Sequence, residues 1–205
     1  MCTRHFLSRS FVLLAAGHVL AACQGVGGSS LLERLDERSG VTVVSERQAL
    51  VFARTETRYS ASARDYLYLG PVETNRQGER DYYLWVGIAT TLDRGYLAAP
   101  LVLPDRLYIA ARGELMEFRL RPWPQLAPTV RLTPVYRTAV QIQAQLAARV
   151  TLHQLALLAA EPLQSLETAA EQGGTRQYFR WDTGQTWSGF PDARPGPDPH
   201  QSEQP

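Results

Sequence analysis

The sequence predicts a mainly β protein, with a single antiparallel β-sandwich-like domain and one or two short helices. From residue 41 onward, short runs are rich in Val, Thr, Tyr and Leu, and some alternate apolar with polar residues as half-buried strands do. Gly, Pro and Asn separate these runs at intervals typical of an all-β fold. With 205 residues, 44% of them hydrophobic, the chain has material for one compact core.

Composition divides the chain into four parts. Residues 1–22 are predicted to be an export signal peptide, and residues 23–40 a tether that starts Gly- and Ser-rich and contains a possible short helix. Residues 41–190 are predicted to form the β-rich domain. Residues 191–205 are rich in proline and have almost no apolar surface to bury, so this tail is predicted to be disordered.

The amino terminus has the three zones of an export signal. Arg4 and Arg9 make a basic start, an apolar stretch covers residues 11–20, and small residues precede Cys23. The apolar stretch is about half of the roughly 20 residues that a bilayer-spanning helix needs. A permanent transmembrane anchor is therefore not expected here.

The residues Leu20-Ala21-Ala22-Cys23 resemble the lipobox of bacterial lipoproteins. In that family the cysteine is acylated, a dedicated peptidase cuts before it, and the new amino terminus is acylated as well. The resemblance implies that Cys23 carries lipid and anchors the chain to a membrane, since two or three acyl chains give lasting attachment. Gln24 stands where inner-membrane lipoproteins tend to carry Asp, which implies the outer membrane, facing the periplasm. The alternative is a secreted protein with a chance cysteine near its cleavage site.

Cysteine and charge counts narrow the function classes further. Cys2 would leave with the signal peptide and Cys23 would carry lipid, so the mature domain would hold no disulfide. The 20 acidic residues all follow Cys23, and two of the 21 basic residues precede it, so the mature chain would be nearly neutral. This balance gives no electrostatic case for nucleic acid. Every basic residue is Arg, which excludes a P-loop lysine and Schiff-base chemistry.

Two short helices are predicted, one on each side of the main run of strands. The first follows the tether, where Ser30 is a candidate N-cap, the leucines up to Leu35 share one side, and Gly40 is placed as terminator. The second begins after Thr151, a candidate cap ahead of leucines at helical spacing, and ends before Pro162.

The strand predictions rest on two-residue periods and on turn residues between the runs. Gln141, Gln143 and Gln145 alternate with apolar residues, which indicates one buried and one wet face. The segment Asn75–Gly78 is turn-like, and Arg112-Gly113 is predicted to be a hairpin tip. The segments predicted to be strands are Val41–Val44, Ala49–Arg54, Arg64–Leu69, Asp81–Thr90, the hairpin Leu107–Leu120, Thr129–Thr138 and Val140–Leu146.

A last hairpin is preferred at the end of the domain. Gly173-Gly174 would join strands at Leu163–Thr168 and Arg176–Trp181, although the apolar residues of the first segment also suit a helix. Three prolines between Pro122 and Pro128 are expected to interrupt regular structure before the later strands.

The sequence offers few residues for catalysis or metal binding. After Cys23 the histidines are His153 and His200, too few for a His-rich metal site, and His153 is predicted to be a surface histidine. Glu114 and Glu117 are in principle a pair for glycoside hydrolysis, but a three-residue spacing on a strand directs them to opposite faces. No cofactor, metal or catalytic site is predicted.

Aromatic residues are enriched around the turn at Asn75–Gly78. Tyr66 and Tyr68 would share one face of a strand, as would Tyr83 and Trp85. As a binding face, these four and their neighbouring arginines would receive a sugar ring, a peptide or a partner protein, because Tyr, Trp and Arg dominate binding hot spots. As structure, they would fill the core of the sheet. The sequence favours the structural interpretation.

These observations predict a membrane-anchored envelope lipoprotein that binds or scaffolds another envelope component without catalysis. A carbohydrate- or peptidoglycan-binding lipoprotein that uses the aromatic face is the alternative, and a lipoprotein hydrolase is the least favoured. The expected partners are membrane lipid through Cys23 and another envelope protein or the cell wall. Nucleic acid is not expected.

Overall fold

The computed structural model describes residues 31–92, 101–131, 135–171 and 173–181. The predicted signal peptide, Cys23 and the predicted disordered tail lie outside the described residues. The described strands are β1 (Leu31–Asp36), β2 (Val41–Glu46), β3 (Leu50–Thr55), β4 (Arg64–Arg76), β5 (Glu79–Thr90), β6 (Arg106–Ala111), β7 (Glu114–Arg119), β8 (Arg121–Pro122), β9 (Ile142–Val150), β10 (Ser165–Ala170) and β11 (Gly174–Arg180). The described helices are α1 (Trp123–Leu126) and α2 (Leu152–Ala159).

The described strands form one antiparallel sheet, so the predicted mainly β fold with one or two short helices is confirmed. Their order is β7-β6-β10-β11-β3-β4-β5-β9-β8. The first half of β4 pairs with β3, and its second half pairs with β2, which also carries β1. The sheet curls until β7, at one end, contacts β9, near the other. It therefore has an enclosed inner face and an outer face.

The inner face encloses the larger of two apolar cores, to which β3, β4, β5, β6, β7, β9, β10 and β11 contribute side chains. Helix α2 adds Leu155 and Leu158, both buried. The predicted N-cap is present, because the Thr151 hydroxyl accepts a hydrogen bond from the Gln154 backbone N–H at 3.1 Å. The Gln154 side chain accepts in return from the Thr151 backbone N–H at 2.9 Å, which completes a capping box.

The second core lies on the outer face of β2, β4, β5 and β9. The described residues of 123–140, here called the cover, lie across these strands. The Trp123 ring meets Tyr83 edge-on at 5.4 Å between centroids, and the Tyr136 ring meets Trp85 at 5.1 Å. The cover is held by this aromatic packing against the sheet and by hydrogen bonds to β1 and β4 along its length.

Pro71 lies inside β4, although the sequence analysis ended a strand at Leu69. At this point β4 changes neighbours, since Leu69 is the last residue to pair with β3 and Val72 is the first to pair with β2. A proline is tolerated because the missing N–H falls in the gap between two partners. The carbonyl of Pro71 accepts a hydrogen bond from the Tyr136 hydroxyl at 2.5 Å.

The helix predicted after the tether, with Leu31 and Leu35 on one side, is wrong, because this segment forms strand β1. It pairs with β2 from Leu31 opposite Glu46 to Asp36 opposite Val41. The leucine spacing suits a helix, but β2 offers an unpaired backbone edge, and this tertiary pairing overrides the local pattern. Gly40, expected to end a helix, instead closes the β1–β2 turn with a φ of 67°.

The strand predicted over Thr129–Thr138 is also wrong. The described residues of this segment belong to the cover and form no strand. Its apolar side chains Val130, Val135 and Tyr136 are buried against the sheet. The strand-like spacing of apolar residues therefore reflects burial of these side chains, without backbone pairing to a neighbouring strand. The Asp36 carboxylate accepts a hydrogen bond from the Arg131 backbone N–H at 2.5 Å. This bond gives the Arg131 N–H the partner that a neighbouring strand would provide in a sheet.

Candidate ligand-binding groove

The four residues of the predicted binding face all lie on the outer face of β4 and β5, but their exposure differs. Trp85 has no exposed surface, and Tyr83 is 2% exposed beneath the cover. Tyr68 is 4% exposed, whereas Tyr66 is only partly buried. Tyr83 and Trp85 are therefore core side chains. Tyr66 and the edge of Tyr68 line an open groove.

This groove lies where the cover ends. It has a volume of about 360 Å³. Its floor is the outer face of β3 and β4, one wall is the last part of the cover, and the other wall is the residue that follows β11. The lining residues are Gln48, Ala49, Val51, Tyr66, Tyr68, Arg137, Thr138, Ala139, Val140 and Trp181.

Three aromatic rings follow one another along the groove. Tyr66 lies 6.4 Å from Tyr68 with a tilt of 32°, and 6.4 Å from Trp181 at 74°. Trp181 stands edge-to-face against Tyr66 and remains 52% exposed. Its backbone N–H donates to the carbonyl of Val51 at 2.8 Å, which continues the β11–β3 pairing by one residue. The sheet therefore fixes the backbone from which this indole projects.

The Tyr68 hydroxyl is a neutral polar group at the cover side of the groove. It accepts a hydrogen bond from the Val140 backbone N–H at 3.3 Å. Burial raises the pKa of Tyr68, and the Val140 hydrogen bond opposes this shift without cancelling it. The hydroxyl thus keeps its proton at neutral pH. Nearby, the Thr138 hydroxyl donates to the Val140 carbonyl at 2.7 Å and fixes the turn of this wall.

Two arginines border the rings. The Arg64 guanidinium lies 4.6 Å from the centroid of the Trp181 ring, a cation–π contact. One of its terminal nitrogens donates to the Ser62 carbonyl at 3.3 Å, while its buried Nε has no hydrogen-bond partner among the described residues. Arg137 is exposed on the cover wall. None of the described lining residues is acidic, so the groove has a positive character.

The acidic and histidine candidates lie elsewhere. Glu114 and Glu117 are exposed on β7, and Glu117 faces Arg106 with 3.9 Å between Oε1 and Nε. His153 is exposed on α2. In the described parts of the chain, no group of three or more His, Cys, Asp or Glu side chains is arranged to hold a metal ion.

Neither Trp181 nor Arg137 was predicted from the sequence to be a site residue. Trp181 appeared only as the end of a predicted strand, and Arg137 lay inside a segment wrongly predicted as a strand. The signal that was available is the position of a large aromatic residue at the end of a strand followed by polar residues. Its partner Tyr66 is distant in sequence, so only the β3–β4–β11 pairing brings the rings together.

No family model matches the chain, and searches of curated proteins and of solved structures also find no match. Among the residues that the structure describes, no helix is long and apolar enough to cross a membrane.

Proposed function

We propose that this protein is a non-catalytic binding module of a bacterial envelope, anchored to the membrane by lipid on Cys23, which holds its ligand in the groove beside Trp181. The observation that carries the proposal is the arrangement of Trp181, half-exposed yet fixed between Tyr66 and the Arg64 guanidinium. Large aromatic side chains that remain exposed in a fixed orientation are the residues that contribute most to recognition.

The fixed orientation matters for affinity. A flexible side chain loses conformational freedom when a ligand binds, at about 0.5 to 1.5 kcal/mol for each immobilised side chain. Trp181 is already held by its backbone bond to Val51 and by two ring contacts. These contacts restrict the indole before a ligand arrives and so reduce the conformational entropy that binding would remove, which suits a binding site.

The amino-terminal segment supports the anchored part of the proposal. The lipobox-like residues 20–23 would place acyl chains on Cys23, and the Gly- and Ser-rich stretch up to Ser30 would separate them from β1. The proposed location is the outer membrane, with the domain facing the periplasm. The groove would then face cell-wall glycan and the envelope proteins around it.

Cell-wall glycan is the second candidate ligand, beside a protein partner. It is favoured by the aromatic faces, because the C–H groups of a sugar ring carry a slight positive charge that suits the negative face of an indole or phenol ring. A protein partner is favoured by the position of Phe179, which is 58% exposed on the same outer face and would enlarge a contact surface.

The test compares the intact chain with Trp181→Ala. Purified cell wall is used in a sedimentation assay, and site-specific photocrosslinking at Ala139, which is exposed on the cover wall, reports protein partners in intact cells. We expect Trp181→Ala to abolish one of these interactions. The matched control is Tyr59→Ala, another exposed aromatic side chain, which lies between β3 and β4 and does not line the groove. If Trp181→Ala behaves like the intact chain in both assays, the groove is not a binding site.

A further inference from the structure

The charge around the groove narrows the class of ligand. Arg64 and Arg137 form no ion pair with any other residue of the described ranges. Arg34, whose guanidinium donates to the Val135 carbonyl in the cover, has a pKa lowered mainly by burial and further by the charge of Arg137. Asp65, the acid that follows Arg64 in the sequence, is buried close to Tyr178, and Glu46 is buried beside Tyr136; neither lines the groove. Within the described ranges, the lining of the groove contains an arginine and no acidic residue, so the described part of the rim is cationic.

The floor of the groove does not suit an extended peptide. Such peptides usually add a strand to a free sheet edge, where backbone hydrogen bonds supply much of the affinity. Here β3 is paired on both sides, with β11 and β4, and β4 is paired with β3 and β5. The floor offers ring faces and side chains, so the ligand must be recognised through stacking and through charge.

A ligand that satisfies both features has a ring with apolar faces and one anionic group. The faces of Trp181 and Tyr66 suit the C–H groups of a sugar ring. A guanidinium binds a carboxylate through two parallel hydrogen bonds, which makes arginine the side chain best suited to this anion. The Arg137 side chain, exposed on the opposite wall, supplies such a group.

We infer that the groove binds an amino sugar that carries a carboxylate, of the kind present in bacterial cell-wall glycan. The ring lies against Trp181 and Tyr66, and the carboxylate binds Arg137, with Arg64 adding positive charge from behind the indole. This inference rests on the proposed binding function and assigns the ligand of the same groove.

Two sugars that differ in one substituent test the assignment. N-acetylmuramic acid is N-acetylglucosamine with a lactyl ether that bears a carboxylate, so the pair isolates the contribution of the anion. Each is titrated into the full chain purified in detergent, and the indole N–H resonance of Trp181 is followed by NMR. We expect N-acetylmuramic acid to bind about tenfold more tightly, as a charged hydrogen bond should provide.

Variants separate the two parts of the site. Arg137→Gln should remove the preference between the two sugars while N-acetylglucosamine still binds. Trp181→Ala should abolish binding of both, which is measured by isothermal titration calorimetry because this variant lacks the indole resonance. Arg38→Gln, an exposed arginine in the β1–β2 turn, is the matched control and should change neither. Circular dichroism of each variant checks that the fold is retained. Equal affinity for the two sugars in the intact chain would overturn the assigned role of Arg137.

Other outcomes distinguish this inference from the proposed function. If a glutamate-rich peptide shifts the Trp181 resonance and neither sugar does, the ligand is an acidic peptide, and the sugar assignment fails while the binding function stands. If neither ligand binds but photocrosslinking gives a partner that depends on Trp181, the inference fails and the function again stands. If no Trp181-dependent interaction exists in any assay, both fail.

Discussion

Trp85→Ala should be among the most destabilising substitutions in the outer-face core. The indole has no exposed surface, packs 5.1 Å from the Tyr136 ring, and donates from Nε1 to the Gln145 side chain at 3.3 Å. Removing a buried tryptophan costs about 3 to 5 kcal/mol in lost burial and cavity formation. The hydrogen bond adds about 1 kcal/mol at most, since Gln145 is only partly buried and regains water.

The assays are urea unfolding and thermal unfolding, each followed by far-ultraviolet circular dichroism, because fluorescence would lose one of the four tryptophans as its reporter. For a domain of this size, each kcal/mol lowers the thermal midpoint by about 2 to 4 °C. Trp85→Ala should therefore lower it by roughly 10 °C.

Trp181→Ala makes the same chemical change at a half-exposed indole and is the matched control. It should cost about 1 kcal/mol or less, because most surface substitutions have small effects on stability. If both variants lose similar stability, or if Trp85→Ala costs under about 1 kcal/mol, the assignment of Trp85 to the core is wrong.

Three further predictions concern the cover, its attachment and the anchor. Gly70→Ala should lower the free energy of unfolding by about 1 to 3 kcal/mol, because the new Cβ would overlap the buried Tyr136 ring; a double variant with Tyr136→Leu should recover part of the loss. Asp36→Asn should destabilise at pH 7, since a backbone hydrogen bond from the cover lowers the pKa of Asp36, and the difference should shrink as pH falls below about 4. Cys23→Ser should abolish labelling by a fatty-acid tracer in a Gram-negative host, and unchanged labelling would refute the proposed anchor.

The stability that Asp36 contributes depends on pH because its pKa differs between the folded and unfolded states. A carboxyl whose pKa is lower in the folded than in the unfolded state stabilises the fold while it is ionised. That contribution is present above the unfolded pKa and is lost as pH falls through the folded one. A difference between the intact chain and the variant that grows on acidification would contradict the role assigned to the Arg131 hydrogen bond.

Local sequence signals predicted the turns at Asn75–Gly78 and Arg112-Gly113 correctly, because each turn depends on few residues. At the β4–β5 turn, Gln77 and Gly78 have φ values of 54° and 94°, and the Gly78 N–H donates to the Asn75 side chain at 2.9 Å. Two consecutive positive φ values define the turn that matches the twist of a two-stranded ribbon, and glycine favours it. Arg112 and Gly113 repeat this geometry at the β6–β7 turn, with values of 51° and 78°.

Segments that depend on distant partners were predicted poorly. Leu31–Asp36 is a strand only because β2 presents an edge to it. The cover has apolar residues at intervals that resemble a strand, but their spacing reflects contacts with rings on β4 and β5. In both segments the spacing of apolar residues is compatible with more than one local structure. Tertiary contacts, which the local sequence pattern does not contain, decide which structure forms.

The candidate groove belongs to this second kind of feature, because it exists only at the boundary between the covered and uncovered parts of the outer face. Its floor comes from β3 and β4, Val140 marks the end of the cover, and Trp181 follows the last described strand. Each piece has a structural reason to end where it does. The cover must turn away to join β9, and β11 must continue far enough for the Trp181 N–H to reach Val51. As a result, a half-exposed indole lies against Arg64 on one side of the groove, and Arg137 lines the other side. Because these side chains are accessible to solvent, substitutions at Trp181 and Arg137 test ligand binding directly.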